Sequence, residues 1–228
     1  MSSTVTDRKE AMSEMIARPS VELMAITPDA EQVIELACRT CYLSFHRYNP
    51  PDSTAELIKK VIRKKHHSVL EHAFATFRIK GGSRTFTHEL VRHRLMSPSQ
   101  ESQRYVEYGS KRNFDVVVPP SLEQTPFKDR YLEMAAKCRD LYEEMLQHDI
   151  AKEDARYILP GGITSEIVIS ANFREFRHIF QVRCNPRAHW EIRGICLRML
   201  EILREKAPIV FGDFSIDREN CSAKLLEE

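Results

Sequence analysis

Glycine is scarce in this chain. There are seven in 228 residues, about 3 %, under half the usual share of ~7 %. They are Gly81, Gly82, Gly109, Gly161, Gly162, Gly194 and Gly212. No three stand at the spacing G-x-G-x-x-G, and no G-x-x-x-x-G-K-[ST] occurs, so neither common glycine-loop cradle for a nucleotide is present. If the protein holds a nucleotide, side chains must supply the donors.

Excess charge of one sign is also lacking. With 34 Lys+Arg against 33 Asp+Glu the formal charge is +1, which argues against a general nucleic-acid binder. No apolar run approaches the roughly 18 residues that cross a bilayer. The polar segment 1–20 lacks the apolar core of a signal peptide, so a cytoplasmic protein with six reduced cysteines is expected. Cys38 and Cys41 form a lone C-x-x-C with no second pair downstream. They are expected to pack and not to bind zinc or cycle redox states. At this length one domain is expected over residues 21–220, between a loose N-terminal tail (1–20) and a C-terminal tail (221–228).

Arginine, in contrast, is abundant: 22 of the 34 cations. It is the residue suited to forked recognition of phosphates and carboxylates. Periodicity predicts a strand at Val21–Ile26, a helix opened by Pro28-Asp29, and a basic amphipathic helix at Thr54–Lys65. The Lys59, Lys60, Arg63, Lys64, Lys65 run of that helix reads as a solvated face. Ala75, Phe77 and Ile79 alternate on a half-buried strand, Ala73–Lys80, which Gly81-Gly82 would turn. Ser83 would cap a helix carrying Phe86, Leu90 and Val91, broken at Ser97-Pro98-Ser99. A second strand is expected at Phe114–Val118. Thr125-Pro126 starts a helix bearing Phe127, Tyr131, Met134, Cys138, Leu141, Tyr142 and Met145 at three-and-four spacing. A short helix at Lys152–Leu159 stops before Gly161. Ile163–Ser170 reads as strand or buried helix, and Asn172–Val182 and Arg187–Lys206 as helices. The fold class is α/β or α+β with helices dominant.

The chemistry concentrates in two places. Five of the nine histidines lie between His66 and His93, and five arginines between Arg84 and Arg112. Arg92 and Arg94 on a helix would point about 200° apart, so they would not share one solvated face. The segment from Gln100 to Arg104 behind them adds hydroxyl, amide, carboxylate and guanidinium groups, a set suited to a polyfunctional anion such as a nucleotide. The blander reading is an arginine-rich helix end tied to Glu89 and Glu101. A metal site from His66, His67, Glu71 and His72 matches no zinc spacing with a mechanism behind it. The second constellation holds Arg156, then Asn172, Arg174, Arg177, His178 and Arg183 on one helix-like segment. Arg183-Cys184 places a cation beside a thiol, but a buried inert cysteine is the commoner case.

Arg92-His93-Arg94, seven residues, then Ser102 resembles the R-H-R-x7-S signature of the flavin-dependent thymidylate synthases. The likeness extends to His66–Phe77, Thr87–Leu90, Ser102–Val106, Ala155-Arg156 with Leu159-Pro160, and Asn172–His178 with Arg183, in order. The resemblance implies a helix-rich fold with a central, mostly antiparallel sheet flanked by helices. It implies reductive methylation of dUMP to dTMP, with 5,10-methylenetetrahydrofolate as carbon donor and NADPH as reductant through FAD. It further implies a homotetramer with active sites at subunit junctions, while the charge balance and the lack of a long apolar run lead us to expect no nucleic-acid or membrane partner.

Carried over residue by residue, Arg183 matches the arginine that promotes ionisation of uracil N3. Arg92, Ser102, Arg104 and Arg156 match dUMP contacts, with Glu89, Gln100, Glu101 and Gln103 at flanking positions. Ser68, Arg92, His93, Arg94, Asn172, Arg174 and His178 match FAD positions, with Gln100 touching both ligands, and His66 and Glu71 lie near the flavin. Ser102 is expected to bind and not to attack, because no base stands by to activate it. Glu101, Lys65, Gly161-Gly162 and Glu166 depart from the family pattern. Two other readings remain: a non-catalytic nucleotide- or RNA-binding module, and a metal hydrolase built on the histidines.

Overall fold

The computed structural model describes residues 12–109 and 111–226. Among them, β1 (Ser20–Ile26), β2 (Phe74–Ser83), β3 (Ser97–Gln100) and β4 (Thr164–Asn172) form a four-stranded sheet in the order β1-β2-β4-β3. A second sheet pairs β5 (Phe214–Asp217) antiparallel with β6 (Ser222–Leu225). The helices are α1 (Ala30–Thr40), α2 (Asp52–Arg63), α3 (Arg84–Leu90), α4 (Phe127–Gln147), α5 (Lys152–Ala155), α6 (Phe173–Arg183), α7 (Trp190–Lys206) and α8 (Pro208–Phe211). The expected mix of helices and antiparallel sheet is what the chain forms.

The chain makes two compact units. Among the described residues, one takes in 12–20 with Ile79–Glu89 and most of Ser99–Ile167; the other takes in Val21–Arg78, Leu90–Pro98 and 168–226. The first is built on a core of Met12, Met15, Tyr108, Phe114, Val116, Leu132, Tyr142 and Ile163. Tyr108 packs edge-on against both Phe114 and Tyr142. The second is built on phenylalanine. Phe176 meets Phe77 edge-on at 5.5 Å and stacks on Phe180, which in turn contacts Phe211 and Phe214. Such edge-on and offset pairs add stability beyond the area they bury. In the same unit the Arg177 guanidinium forks onto Asp213 at 2.7 and 2.6 Å and also donates to the Val210 carbonyl. The N-terminus of α8 is tied down by Glu31, whose carboxylate accepts from Ile209 and Val210 N–H at 2.6 and 3.0 Å.

Several expectations are met for their stated reasons. Ala75, Phe77 and Ile79 are buried along β2, the Ser83 hydroxyl accepts from Phe86 N–H at 3.0 Å, and the ambiguous Ile163–Ser170 stretch is strand. Others are corrected. Gly81-Gly82 does not end β2, which continues to Ser83. Gly81 instead adopts φ +71°, with the Arg18 carbonyl 2.8 Å from where a Cβ would sit, a position only glycine fills without strain. Phe114–Val118 is extended but makes only isolated bridges, Val116 pairing with Ile16 and Ile163. Pro119 and Pro120 follow at once and have no N–H to extend a ladder. Ser97-Pro98-Ser99 does not interrupt a helix, for α3 has ended at Leu90 and these residues open β3.

The long helix α4 buries Leu132, Ala135 and Tyr142, while Phe127 and Met134 are 56 % and 58 % exposed. Apolar residues on α4 fit two overlapping stripes, and spacing alone does not say which one faces the core. The loose tails are also revised. Met12 and Met15 are buried, and Ala17 N–H donates to Val116 O at 3.0 Å. At the other end Ser222–Leu225 is the strand β6. Residues 1–11 and 227–228 of those expected tails lie outside the described residues. No helix among the described residues is long and apolar enough to cross a membrane.

The Gly161-Gly162 departure has a packing reason at its second member. A Cβ on Gly162 would fall 2.1 Å from Tyr131 Oη, and that hydroxyl donates to Val117 O at 3.1 Å. Gly162→Ala is therefore expected to displace Tyr131 and destabilise the protein by about 1–3 kcal/mol in chemical denaturation. An unchanged midpoint would show that the ring yields freely.

Candidate functional site

The R-H-R segment follows directly on α3. Leu90 ends the helix, residues 91–95 form turns, and the three side chains separate by exposure. His93 is buried, whereas Arg92 and Arg94 are exposed and make no ion pair among the described residues. The helical projection expected for Arg92 and Arg94 is corrected: on a turn the side chains alternate, so both guanidinium groups are solvated and flank an inward ring.

What holds that ring inward is Arg183, the last residue of α6. Its Nε donates to His93 Nε2 at 2.9 Å. His93 Nδ1 lies 3.9 Å from the buried Glu175 carboxylate, and its ring meets His178 edge-on at 5.8 Å. To accept from a guanidinium, Nε2 must carry no proton. Burial first, then the Arg183 and His178 charges, lower the His93 pKa from 6.5 to about 4. Burial raises the Glu175 pKa, with the His178 charge opposing. The same helix begins with Asn172, whose side-chain oxygen accepts from Glu175 N–H at 2.9 Å.

A cavity of about 590 Å3 in this unit is lined by His67, Glu71, Leu95, Asn172, Arg174, Glu175, Arg177, His178 and Gln181. It gathers three of the residues expected at FAD, Asn172, Arg174 and His178, with Glu71, whose carboxylate accepts from Arg174 at 2.5 Å. Ser68 lies exposed on the 3-10 segment His67–His72 that carries two of the lining residues. The donor set fits an anionic cofactor. His67 Nε2 is buried without a hydrogen-bond partner, and the turn that brings Leu95 to the lining also carries the exposed Arg92 and Arg94.

The substrate candidates of the other unit form a separate group. Arg104 Nε donates to the Glu153 carboxylate at 3.1 Å and Arg156 Nε to the Glu153 carbonyl at 3.0 Å. One residue therefore brings together two arginines 52 positions apart in sequence. Ser102 opens the turn that leads to Arg104 and accepts from the Arg104 N–H at 3.3 Å; Gln103 lies between them. The Gln100 amide donates to Thr87 and Ser165 at 2.8 and 3.1 Å. Glu89 is half-buried near the end of α3.

Glu101 behaves otherwise. Its carboxylate accepts from Tyr108 at 3.0 Å, Arg112 at 2.5 Å and Glu166 N–H at 3.2 Å, and it is 8 % exposed. The charge of Glu101, which the resemblance puts at a position flanking dUMP, is thus spent on partners inside the protein. Neither Tyr108 nor Arg112 stood out in the sequence, nor did Glu153 or Glu175. No motif marks them, and only the fold places them beside their partners.

Cys184 is fully buried, and burial drives its thiol pKa up to about 12. It is no thiolate nucleophile. Cys38 is buried and Cys41 exposed, and among the described residues no group of His, Cys, Asp or Glu is placed to hold a metal ion.

Comparison with known proteins decides the family. The family model described as thymidylate synthase complementing protein matches residues 22–209. The flavin-dependent thymidylate synthase of Geobacter sulfurreducens is 40 % identical over 85 % of both chains. The chain belongs to the flavin-dependent thymidylate synthases. The Mycobacterium marinum member is 36 % identical over 90 % of this chain and 88 % of its own. The crystal structure of thymidylate synthase X from Helicobacter pylori with FAD and dUMP superposes with a TM-score of 0.73 at 26 % identity, covering 86 % of this chain and 98 % of that one. Membership in the synthase family sets aside the non-catalytic nucleotide- or RNA-binding module.

For the synthase, the Arg183–His93 bond makes a pH prediction. The unfolded chain binds more protons than the folded one between the folded pKa of about 4 and 6.5. Stability from this group is complete above 6.5 and is lost as pH falls toward 4, by at most roughly 3 kcal/mol. NMR titration should place the His93 midpoint near 4, and an ordinary midpoint near 6.5 would show that the ring is not held in this way.

Proposed function

We propose that this chain converts dUMP to dTMP by reductive methylation, drawing the carbon from 5,10-methylenetetrahydrofolate and the reducing equivalents from NADPH through FAD. The observation that carries the reading is the Arg183–His93 pair, which ties the R-H-R turn to the end of α6. A methylene group becomes a methyl group only by gaining a hydride. FAD, when bound, supplies that hydride chemistry.

The chain's own residues bind, orient and polarise. Arg183 stands at uracil N3, where a guanidinium stabilises the developing anion. Lowering the substrate pKa by two units requires ~2.7 kcal/mol, within reach of one well-placed charge. The neutral His93 acceptor leaves that positive charge undiminished and fixes the direction of the guanidinium plane. Ser102, Arg104 and Arg156 take the nucleotide phosphate, with Arg92, Glu89, Gln100 and Gln103 completing the substrate contacts. Turning toward a phosphate, Arg104 exchanges an exposed pair with Glu153, which costs little. Glu101 holds the Ser102 turn in place through Tyr108 and Arg112 and does not itself contact substrate.

Toward FAD, Arg92 and Arg94 offer the forked donors a pyrophosphate needs. Ser68, His93, Gln100, Asn172, Arg174 and His178 supply further polar contacts, and His66 and Glu71 lie near the flavin. The protein works as a cytoplasmic homotetramer with its active sites at subunit junctions.

Arg183→Ala is expected to retain flavin absorbance after purification while dTMP formation falls at least a hundredfold; near wild-type turnover would refute the N3 role. Cys184→Ala should stay active, and its complete inactivation with intact folding would revive a thiol mechanism. Glu101→Gln should raise KM for dUMP several-fold by loosening the Ser102 turn, with FAD occupancy unchanged. An unchanged KM would show that the turn holds without that charge.

A further inference from the structure

The basic run on α2 reads in the sequence as a solvated face, and the fold divides it. Lys60 and Lys64, one turn apart, line a cavity of about 490 Å3 together with Cys38, Arg39, Tyr42, Ser44, His46, Arg47, Leu57, Val61 and His66. The cavity has two chemical characters. Cys38 and Val61 are buried and Leu57 half-buried, and these apolar groups share the lining with the Tyr42 ring. Lys60, Lys64, Arg47, His46 and His66 supply cationic or protonatable groups, and no carboxylate is among the lining residues.

Only one of the cations is neutralised. Arg39 is 6 % exposed and bound to the buried Glu35 at 2.7 and 2.6 Å, and Glu35 also accepts from the Thr54 hydroxyl at 2.5 Å. Arg39 further donates to the Ser44 carbonyl at 3.1 Å, pinning the loop that follows α1. Lys60, Lys64 and Arg47 have no acidic partner among the described residues. The Arg39–Glu35 pair is thus part of the wall, and the remaining charges have nothing opposite them.

We propose that this cavity binds the aminobenzoyl-glutamate half of methylenetetrahydrofolate. The assignment rests on the proposed function, which requires that co-substrate. A flat aromatic ring matches the apolar groups and Tyr42, and carboxylates match the unpaired cations. The rival anion of the same reaction is the phosphorylated dinucleotide. Its sugar hydroxyls would call for acceptors, and no carboxylate is present to serve. Placement agrees as well. His66 lines this cavity, and the next residue, His67, lines the one that gathers the FAD candidates, so the tail site adjoins the cofactor site along one segment of chain.

Because both lysines are exposed, Lys60 on α2 and Lys64 just past its end, Lys60→Gln/Lys64→Gln should fold normally. Steady-state kinetics of this double variant should show KM for the folate raised about tenfold. The rise should be larger for a pentaglutamate than for a monoglutamate, with KM for NADPH and for dUMP within about twofold. Calorimetric titration of the FAD-loaded protein with 4-aminobenzoyl-glutamate should show binding that the variant loses. A rise in KM for NADPH with folate unchanged would reassign the cavity to the dinucleotide phosphate. No change in either, with no binding of the fragment, would overturn the site altogether. If the wild-type protein forms no dTMP, the functional reading fails by itself, and the fragment titration still decides whether the cavity takes an aromatic carboxylate.

Discussion

One N–H···N hydrogen bond, from Arg183 Nε to His93 Nε2, organises the catalytic side of this protein. It demands a neutral imidazole beside a permanent cation, and water would not sustain that preference. Burial does. Removing the ring from solvent penalises its charged form, and the neighbouring guanidinium penalises it again. The bond therefore depends on the phenylalanine-lined core under α6, which keeps that face dry, and on the Asn172 cap that starts the helix in register. In return it draws His93 inward and leaves Arg92 and Arg94 facing out.

The arginines show how one residue type serves two ends. Arg39 is locked onto Glu35, Arg112 onto Glu101 and Arg177 onto Asp213. Each has an acid that removes its cost of burial. These pairs brace the helix wall, the Ser102 turn and the α6–β5 junction. Arg104, Arg156 and Arg174 hold exposed or half-exposed contacts that a stronger anion can displace, while Arg92 and Arg94 hold none. A chain with near-zero net charge thus concentrates usable positive charge by neutralising selected arginines and leaving others open.

Much of the architecture was legible in advance because it rests on local rules. The alternation of Ala75, Phe77 and Ile79 specified β2 and its buried face, and Ser83 specified the cap of α3. The ordered blocks from His66 to Arg183 specified the family. The errors arose where a pattern fits two structures. The stripes on α4 overlap, so spacing did not say that Leu132 and Ala135 face the core while Phe127 and Met134 stay out. Phe114–Val118 has strand composition, but the prolines behind it stop a ladder. The resemblance puts Glu101 at a position flanking dUMP, and nothing local in the sequence says where its charge is held. Its partners Tyr108, Arg112 and Glu166 come from other parts of the fold.

The scarcity of glycine by itself excluded the glycine-loop cradles for a nucleotide, and the spacing of arginine, serine and asparagine by itself determined the family. Those features are covalent order and composition, and no folding is needed to read them. Only the tertiary structure decided which charges are spent. It spent the charges of Glu101 and Arg39 on internal partners, buried Cys184, neutralised His93, and left Lys60 and Lys64 unpaired beside an apolar wall. Whether a charge is paired, and whether water reaches it, is set by the packing around it, which for Arg177 and His93 comes from residues distant in sequence, and pairing and water together fix what a side chain can do.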